Sequence, residues 1–329
     1  MSKRYHVAIC GASGVVGRRM IEVLLERQFP IESLTLFASK RSAGQSITVA
    51  GHDYIIQELT EDALKAPIQI ALFSAGGDTS KKFAPIAAER GIYVIDNSSA
   101  WRMEADIPLV VPEVNSDTLT GAQHIIANPN CSTIQSVLPL GVLEKNYGIK
   151  RVVYTTYQAV SGAGQAGIND LVNQTANNFP HLIHENCIPQ IDVFLENGYT
   201  KEEWKMIEET RKILNRPDLR VTSTAVRVPI LHSHAVSINV ELNQPFDLAT
   251  VRQQFEQADG IIVQDNPSEK LYPLQANATG KNEVFIGRIR RDESVENGLN
   301  LWVVADNIRK GAATNTIQIA ETLIQKGFL

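Results

Sequence analysis

Residues 5–17 read YHVAICGASGVVG, and their pattern decides the fold. Tyr5–Cys10 is a short, mainly apolar run, the pattern of a strand buried on both faces. The turn after it carries Gly11, Ala12, Ser13, Gly14, Val15, Val16 and Gly17, with its glycines spaced GxxGxxG. Val15, Met20, Val23, Leu24 and Leu25 then give a helical stripe ending near Gln28. A glycine turn from strand to helix lets the backbone approach a pyrophosphate, and the helix start adds N–H groups and a positive dipole end. A tight turn with no ligand has the same glycines, so context must decide. The second predicted strand, Leu34–Ala38, follows about 20 residues later, where an NAD site carries Asp or Glu. Here the residues are Ala38-Ser39-Lys40-Arg41-Ser42, with no acid. Hydroxyls and cations suit a 2′-phosphate, so Ser39, Arg41 and Ser42 are expected at the cofactor, and NADP is the expected cofactor. The competing reading of Lys40 and Arg41 is a solvated loop.

Working outward, Ile68–Ser74 predicts a further strand, ending at Ala75-Gly76-Gly77. Asp78 is placed to cap a helix running to Arg90, with Gly91 at its end and Ile92–Ile95 as the next strand. Short apolar runs alternating with helices predict an α/β, Rossmann-like, doubly wound parallel sheet. The texture changes after about residue 130. Lys150–Val160, Arg220–Val240, Val284–Ile289 and Leu299–Ala305 read as strands, with helices at Gly167–Asn177, Lys201–Leu214 and Leu248–Ala258. That pattern predicts an α+β unit with a mostly antiparallel or mixed sheet. A last helix, Ala312–Lys326, with Ile317, Ala320, Leu323 and Ile324 on one face, is expected to return to the first unit. The expected division is 1–130 with 311–329, and 131–310.

Composition supports this reading. A length of 329 residues suggests about two domains. Thirty-one Lys+Arg against 36 Asp+Glu give a net charge of −5, with no general footprint for nucleic acid. No run approaches the ~18 apolar residues of a membrane span. Lys3 and Arg4 precede an apolar stretch as in a signal peptide, but that stretch is rich in Gly and Ala and is followed by Arg18 and Arg19. The expected location is the cytoplasm, where three cysteines stay reduced. No metal set is expected.

Cys131 lies in Asn128-Pro129-Asn130-Cys131-Ser132-Thr133, just before a helical pattern of Ile134, Val137, Leu138 and Leu143 with a kink expected at Pro139. A helix N-terminus favours the thiolate, and the same N–H groups can stabilise an oxyanion formed when sulfur attacks a carbonyl. The bland reading, a small buried packing residue, fits Cys10 and is the default for Cys187. A nucleophile needs a proton partner, and seven histidines are available. His6 lies in the first strand, His52 in a polar loop, His124 at a strand start, and His181 and His184 in an irregular stretch. His232 and His234 follow the predicted strand Val221–Ile230. Pattern does not choose among them.

GASGVVG, SAGG, NPNCST, YQAVSGAG, the EEWK helix and RVPILHSH occur in one order over nearly the whole chain. Together they resemble the aspartate-β-semialdehyde dehydrogenase family. The resemblance implies NADPH-dependent reduction of L-aspartyl 4-phosphate to aspartate semialdehyde and phosphate, in lysine, methionine, threonine and diaminopimelate biosynthesis. It implies Cys131 as nucleophile, His234 as acid/base and Gln158 as the residue positioning the acyl group. It further implies Arg227 at the α-carboxylate, Glu202 at the ammonium, and Arg102 with Lys205 at phosphate. Glu203 is the alternative to Glu202 on the same helix. An ordinary i,i+3 surface pair is the competing reading of Glu202 and Lys205. Ala75, Gly76, Ser161, Gly162 and Asn307 are implied at the cofactor, and a homodimer as the assembly. The stretch between Gly164 and Pro189 is shorter than in some relatives that use it at the subunit interface.

Two alternatives stand beside this. An N-acetyl-γ-glutamyl-phosphate reductase-like enzyme shares the glycine turn, the cysteine and acyl-phosphate chemistry, but its acetylated substrate amine needs no carboxylate such as Glu202. A catalytically silent binding relative is expected to lose the nucleophile or the base, and Cys131, Gln158, Arg227 and His234 are all present.

Overall fold

In the computed structural model, which describes residues 3–49 and 51–329, the apolar run becomes β1 (Tyr5–Cys10) and the stripe after the glycine turn becomes α1 (Val15–Glu26). The chain continues through β2 (Ile31–Ala38), β3 (Ser46–Val49), β4 (His52–Glu58), β5 (Ile70–Phe73), α2 (Gly77–Glu89), β6 (Tyr93–Asp96), α3 (Pro112–Asn115) and β7 (Ile125–Ala127). Then follow α4 (Cys131–Tyr147), β8 (Ile149–Gln158), α5 (Gly164–Asn173), α6 (Lys201–Ile213), β9 (Arg220–Arg227) and β10 (His234–Leu242). The last elements are α7 (Leu248–Glu256), β11 (Ile261–Val263), α8 (Gln275–Ala278), β12 (Val284–Asp292), β13 (Gly298–Ala305) and α9 (Thr314–Gln325). Two compact units result, Met1–Pro129 with Ala312–Leu329, and Asn130–Gly311. None of the described helices is long and apolar enough to cross a membrane.

The first unit is a doubly wound sheet in the order β3-β4-β2-β1-β5-β6-β7, parallel except where β3 pairs with β4. Apolar side chains leave both faces. Ile9, Leu36 and Leu72 pack with Met20 and Leu24 of α1 and Ile317 and Leu323 of α9, while Cys10, Phe37 and Phe73 pack with Phe83 and Ala87 of α2. β1 lies between β2 and β5, so its carboxyl end is where the winding reverses, and the glycine turn leaves from there.

Three local expectations are corrected here. His52 starts β4 rather than lying in a loop, and the β3–β4 hairpin was not foreseen. Each strand buries a single residue, Ile47 in β3 and Ile56 in β4, so they lack the continuous apolar run that marked their neighbours. Asp78 lies in the first turn of α2, whose N-cap is Gly76 at φ 85°. It meets the helix dipole there without capping it.

The second unit carries a mixed sheet in the order β11-β12-β13-β10-β8-β9, parallel at β11/β12 and β8/β9 and antiparallel elsewhere. The single run expected over Arg220–Val240 is two strands that are not neighbours, with β8 between them. β9 stops before Pro229, and Ser233 at φ 71° turns the chain into β10, so His234 opens a strand rather than following one. One sheet face is buried through Tyr154, Ala225, Ile238, Val240, Leu301 and Val303, beneath α4, α6 and α7. The other face leaves Tyr157 and Trp302 only half-buried. α4 continues through Pro139 as one helix. Cys10 is buried in the core, whereas Cys187 is exposed in the irregular stretch after α5, contrary to its expected packing role.

Candidate active site

In the first unit a cavity of about 480 Å³ opens at the carboxyl ends of β1, β2 and β5. Its walls include Gly11, Ser13, Gly14, Ser39, Lys40 and Ala75. Gly11, at φ 95°, lies so close to β5 that a Cβ would meet the Ser74 carbonyl oxygen at 2.4 Å. Gly14 is the N-cap of α1 and brings no side chain to its first-turn N–H groups, including those of Val15, Val16 and Gly17. Those groups and the dipole end suit an anion, and the arrangement fits a dinucleotide pyrophosphate. Of the two adjacent cations, Lys40 lines the cavity rather than Arg41. Ser42 is buried in the turn after β2, its N–H bonded to the Ser39 carbonyl at 2.9 Å. Glu58 of β4, opposite Ala38 in register, puts an acid on the same wall, which reading the end of β2 alone missed.

Arg102 also belongs to the first unit. Its Nε donates to the Asn128 carbonyl at 3.0 Å and its Nη2 to the Asn97 carbonyl at 2.8 Å. Asn128 is held in turn by Asn315, which donates to its Oδ1 at 2.7 Å.

The second unit gathers the other singled-out residues around the start of α4. Asn130 is the N-cap, and its Oδ1 accepts from the N–H groups of Ser132 (2.9 Å) and Thr133 (3.3 Å). Those two donors are therefore spent inside the protein, which corrects the expectation that they face an oxyanion. The Asn130 N–H donates to the buried Glu209 carboxylate at 2.6 Å, and its Nδ2 to Glu202 Oε1 at 2.8 Å. Cys131 is the first residue of α4 and half-buried, and a Cβ on Gly311 would approach the Cys131 Cβ to 2.8 Å. Sequence reasoning missed the parts played by Asn130 and Glu209. An asparagine directly before a helical pattern is an N-cap signal that could have found the first.

Glu202 and Glu203 separate cleanly. Glu203 closes a capping box with Thr200 and accepts the Ala225 N–H at 2.9 Å. Glu202 Oε1 accepts from Gln158 Nε2 at 3.0 Å as well as from Asn130, and its Oε2 takes Lys205 Nζ at 3.2 Å. Burial works to raise the Glu202 pKa, but Lys205, the Gln158 and Asn130 hydrogen bonds and Arg227 outweigh it and leave the carboxyl at about 2. Lys205 also pairs with Asp192 at 2.9 Å, a partner thirteen residues upstream that sequence reading did not find. Gln158 Nε2 makes a second bond, to Ser132 Oγ at 2.7 Å.

His234 is fully buried, and its Nδ1 accepts the Ala159 N–H at 3.0 Å. Burial and the nearby Arg227 cation push its pKa down to about 3. The ring is therefore neutral, with its proton on Nε2, which has no hydrogen-bond partner among the described residues. Arg227, 6% exposed, donates from Nη1 to the Ala159 carbonyl at 2.8 Å, while its buried Nε is likewise without a hydrogen-bond partner. Asn307 Oδ1 accepts the Ser233 N–H at 2.9 Å and its Nδ2 donates to Ser161 Oγ at 3.1 Å, tying the turn after β8 to the entry of β10. A buried orphan arginine donor suits a carboxylate, and a half-buried thiol at a capped helix start suits a nucleophile.

Gly162 leaves the backbone bare beside both groups. A Cβ there would lie 2.8 Å from Arg227 Nη1 and 3.3 Å from His234 Nε2. Gly162→Ala is expected to lower kcat/KM by roughly 10²-fold, since misplacement of about 1 Å at a reacting centre costs that much. Steady-state kinetics with a thermal melt checks this; a normal kcat/KM would mean the two side chains can shift at no loss.

Comparison with known proteins adds three findings. The semialdehyde dehydrogenase NAD binding domain matches residues 6–122, and the semialdehyde dehydrogenase dimerisation domain matches residues 140–310. Curated aspartate-semialdehyde dehydrogenases from Aquifex aeolicus and Bacillus subtilis are 51% and 47% identical, covering 99% and 98% of both chains in each comparison. The crystal structure of aspartate semialdehyde dehydrogenase II from Vibrio cholerae complexed with ASA superposes with a TM-score of 0.94 at 48% identity, over 98% of this chain and 99% of that one. An aspartate semialdehyde dehydrogenase with NADP from Candida albicans gives 0.82 at 26% identity, over 99% of this chain and 100% of that one.

Proposed function

The chain belongs to the aspartate-semialdehyde dehydrogenase family, and from that premise we infer how its residues divide the work of an NADP-dependent phosphorylating aldehyde dehydrogenase. The observation that carries the reading is the cluster of the second unit, where the helix of Cys131 meets Gln158, Glu202, Lys205, Arg227 and His234. It sets one nucleophile among two cations, one anion and a neutral imidazole. That is the complement of an amino acid activated at its side-chain carboxyl.

Arg227 grips the α-carboxylate through its unpartnered Nε edge, and Glu202 takes the ammonium. Lys205 is the cation that this unit offers to phosphate, and Arg102 carries the same role from the family resemblance alone. Cys131 Sγ bonds to the acyl carbon of L-aspartyl 4-phosphate, the carbon–oxygen bond to phosphate breaks, and a thioester remains. NADPH, when bound, supplies the hydride that reduces it. His234 Nε2–H meets the developing alkoxide and Gln158 orients the acyl group. The carbon–sulfur bond of the thiohemiacetal then breaks, releasing aspartate semialdehyde and restoring the thiolate. The glycine turn, Ser39, Lys40, Ala75 and Gly76 serve the dinucleotide, with Ser161, Gly162 and Asn307 toward the nicotinamide. The open sheet face around Tyr157 and Trp302, within the matched dimerisation domain, is the surface for a second copy of the chain. The compartment read from composition and reduced thiols is the cytoplasm.

The decisive experiment follows NADP reduction with aspartate semialdehyde, with and without inorganic phosphate. Turnover that requires phosphate and favours NADP over NAD is expected. Folded, NADP-binding protein that shows none would overturn the reading. The N-acetylated glutamyl analogue is expected to fail, because it offers Glu202 no ammonium.

A further inference from the structure

We propose that Phe179, clamped by Asp170, is a positioning residue for substrate: its ring covers one face of the Arg227 guanidinium and turns the Nε edge toward the incoming carboxylate. This rests on the reading of Arg227 as the carboxylate-binding residue.

Asp170, on α5, is 1% exposed, and among the described residues no ion pair reaches it. Its carboxylate is consumed by the loop that follows. Oδ1 accepts from Thr175 Oγ1 at 2.8 Å and the Asn177 N–H at 3.0 Å, and Oδ2 from the N–H groups of Asn178 (2.7 Å) and Phe179 (3.0 Å). Burial opposes the charge, but the bonds from Asn178, Phe179, Thr175 and Asn177 outweigh it and hold the carboxyl below the ordinary aspartate range. Four donors converging on one carboxylate fix the loop backbone up to Phe179.

The clamp has a target. The Phe179 ring centroid lies 5.7 Å from Arg227 Cζ, within cation–π range. The ring rests on Gly167, where a Cβ would lie 3.0 Å from Phe179 Cζ, so α5 is bare where the ring needs room. It packs in a small apolar cluster with Val160, Ile183 and Ile188. Ile188 in turn exchanges both backbone hydrogen bonds with Arg227, each at 2.9 Å. The stretch after Gly164 thus holds Arg227 twice, at its backbone and over its guanidinium face. With Nη1 on the Ala159 carbonyl and one face under the ring, the Nε edge is the donor left for an anion. Burial lowers the Arg227 pKa against the opposing pull of Glu202 and Cys131, so a π-face beside it also helps to keep it charged.

The test uses steady-state kinetics of the full-length enzyme with aspartate semialdehyde, phosphate and NADP. Phe179→Leu keeps an apolar side chain and removes the ring; KM for aspartate semialdehyde is expected to rise about 3- to 10-fold, with kcat falling far less. Phe179→Tyr restores the π-face and should return KM to within about twofold. Asp170→Asn should shift KM in the same direction as Phe179→Leu. Melting curves accompany each variant, and Phe179→Met replaces the leucine variant should that one not fold. An unchanged KM in the leucine or methionine variant overturns the proposal, as does a tyrosine variant as impaired as leucine. Arg227→Lys is run in parallel. If it too leaves KM unchanged, the carboxylate reading of Arg227 fails; if it raises KM while the Phe179 variants do not, only the role of the ring fails.

Discussion

Cys131→Ala is expected to abolish turnover, lowering kcat by ~10⁴-fold or more, while NADP binding stays near normal. The sulfur is the only atom in the scheme that becomes covalently attached to substrate. No other thiol can substitute for it: Cys10 is sealed in the first-unit core, where burial and Asp96 push its pKa up, and Cys187 is exposed on the irregular stretch. The backbone around position 131 should survive the change, because Asn130 caps the helix through Ser132 and Thr133 and is itself held by Glu209. The glycine turn lies in the other unit, so the groups proposed for the pyrophosphate are untouched by the change. Measurement is direct: progress curves for activity and fluorescence titration for NADP. Retained turnover would remove Cys131 as nucleophile.

His234→Ala is expected to lower kcat by ~10²–10⁴-fold, and His234→Gln by less. The difference follows from the ring's hydrogen bonds. Since Nδ1 accepts the Ala159 N–H, Nε2 carries the proton and can only donate. A glutamine amide can still donate, and an alanine cannot. With its pKa pushed down to about 3, His234 stays neutral through the working range, so kcat should show no ionisation near pH 6.5 that the glutamine variant removes. Stability should carry the mark instead. Below the ordinary histidine pKa of ~6.5 the unfolded chain takes a proton at this position and the folded chain does not. The contribution of His234 is therefore full above that pH and declines as pH falls toward 3. Urea unfolding at pH 7.5 and pH 5 should show a steeper loss in the native protein than in the glutamine variant. Equal slopes would mean that the ring is not held neutral.

The parts of this structure that were legible in sequence are those written locally. YHVAICGASGVVG encodes strand, turn and helix within one window, and the alternation after it encodes a doubly wound sheet. The β3–β4 hairpin was not legible, because an edge strand with one buried face shows only a weak alternation around Ile47 and Ile56. The division of Arg220–Val240 was missed for a different reason. Both halves are good strand sequences, and only Pro229 and the left-handed Ser233 mark that β8 lies between them. At the site, NPNCST announces a cysteine at a helix start, and an N-cap asparagine with it. The Asp192–Lys205 pair and the Asp170 clamp join residues across segments without periodicity, so no spacing rule points to them.

Every hydrogen of the Gln158 amide nitrogen is already committed, one to Ser132 and one to Glu202. On the proposed reading, a substrate amine seated on Glu202 would compete for the oxygen that Gln158 holds, and the displaced N–H would then meet the acyl oxygen beside Cys131. Recognition of one end of the molecule would thereby unlock alignment of the other. A ligand of the right length but without an amine would leave that latch shut, occupying the site while poorly presented to the sulfur.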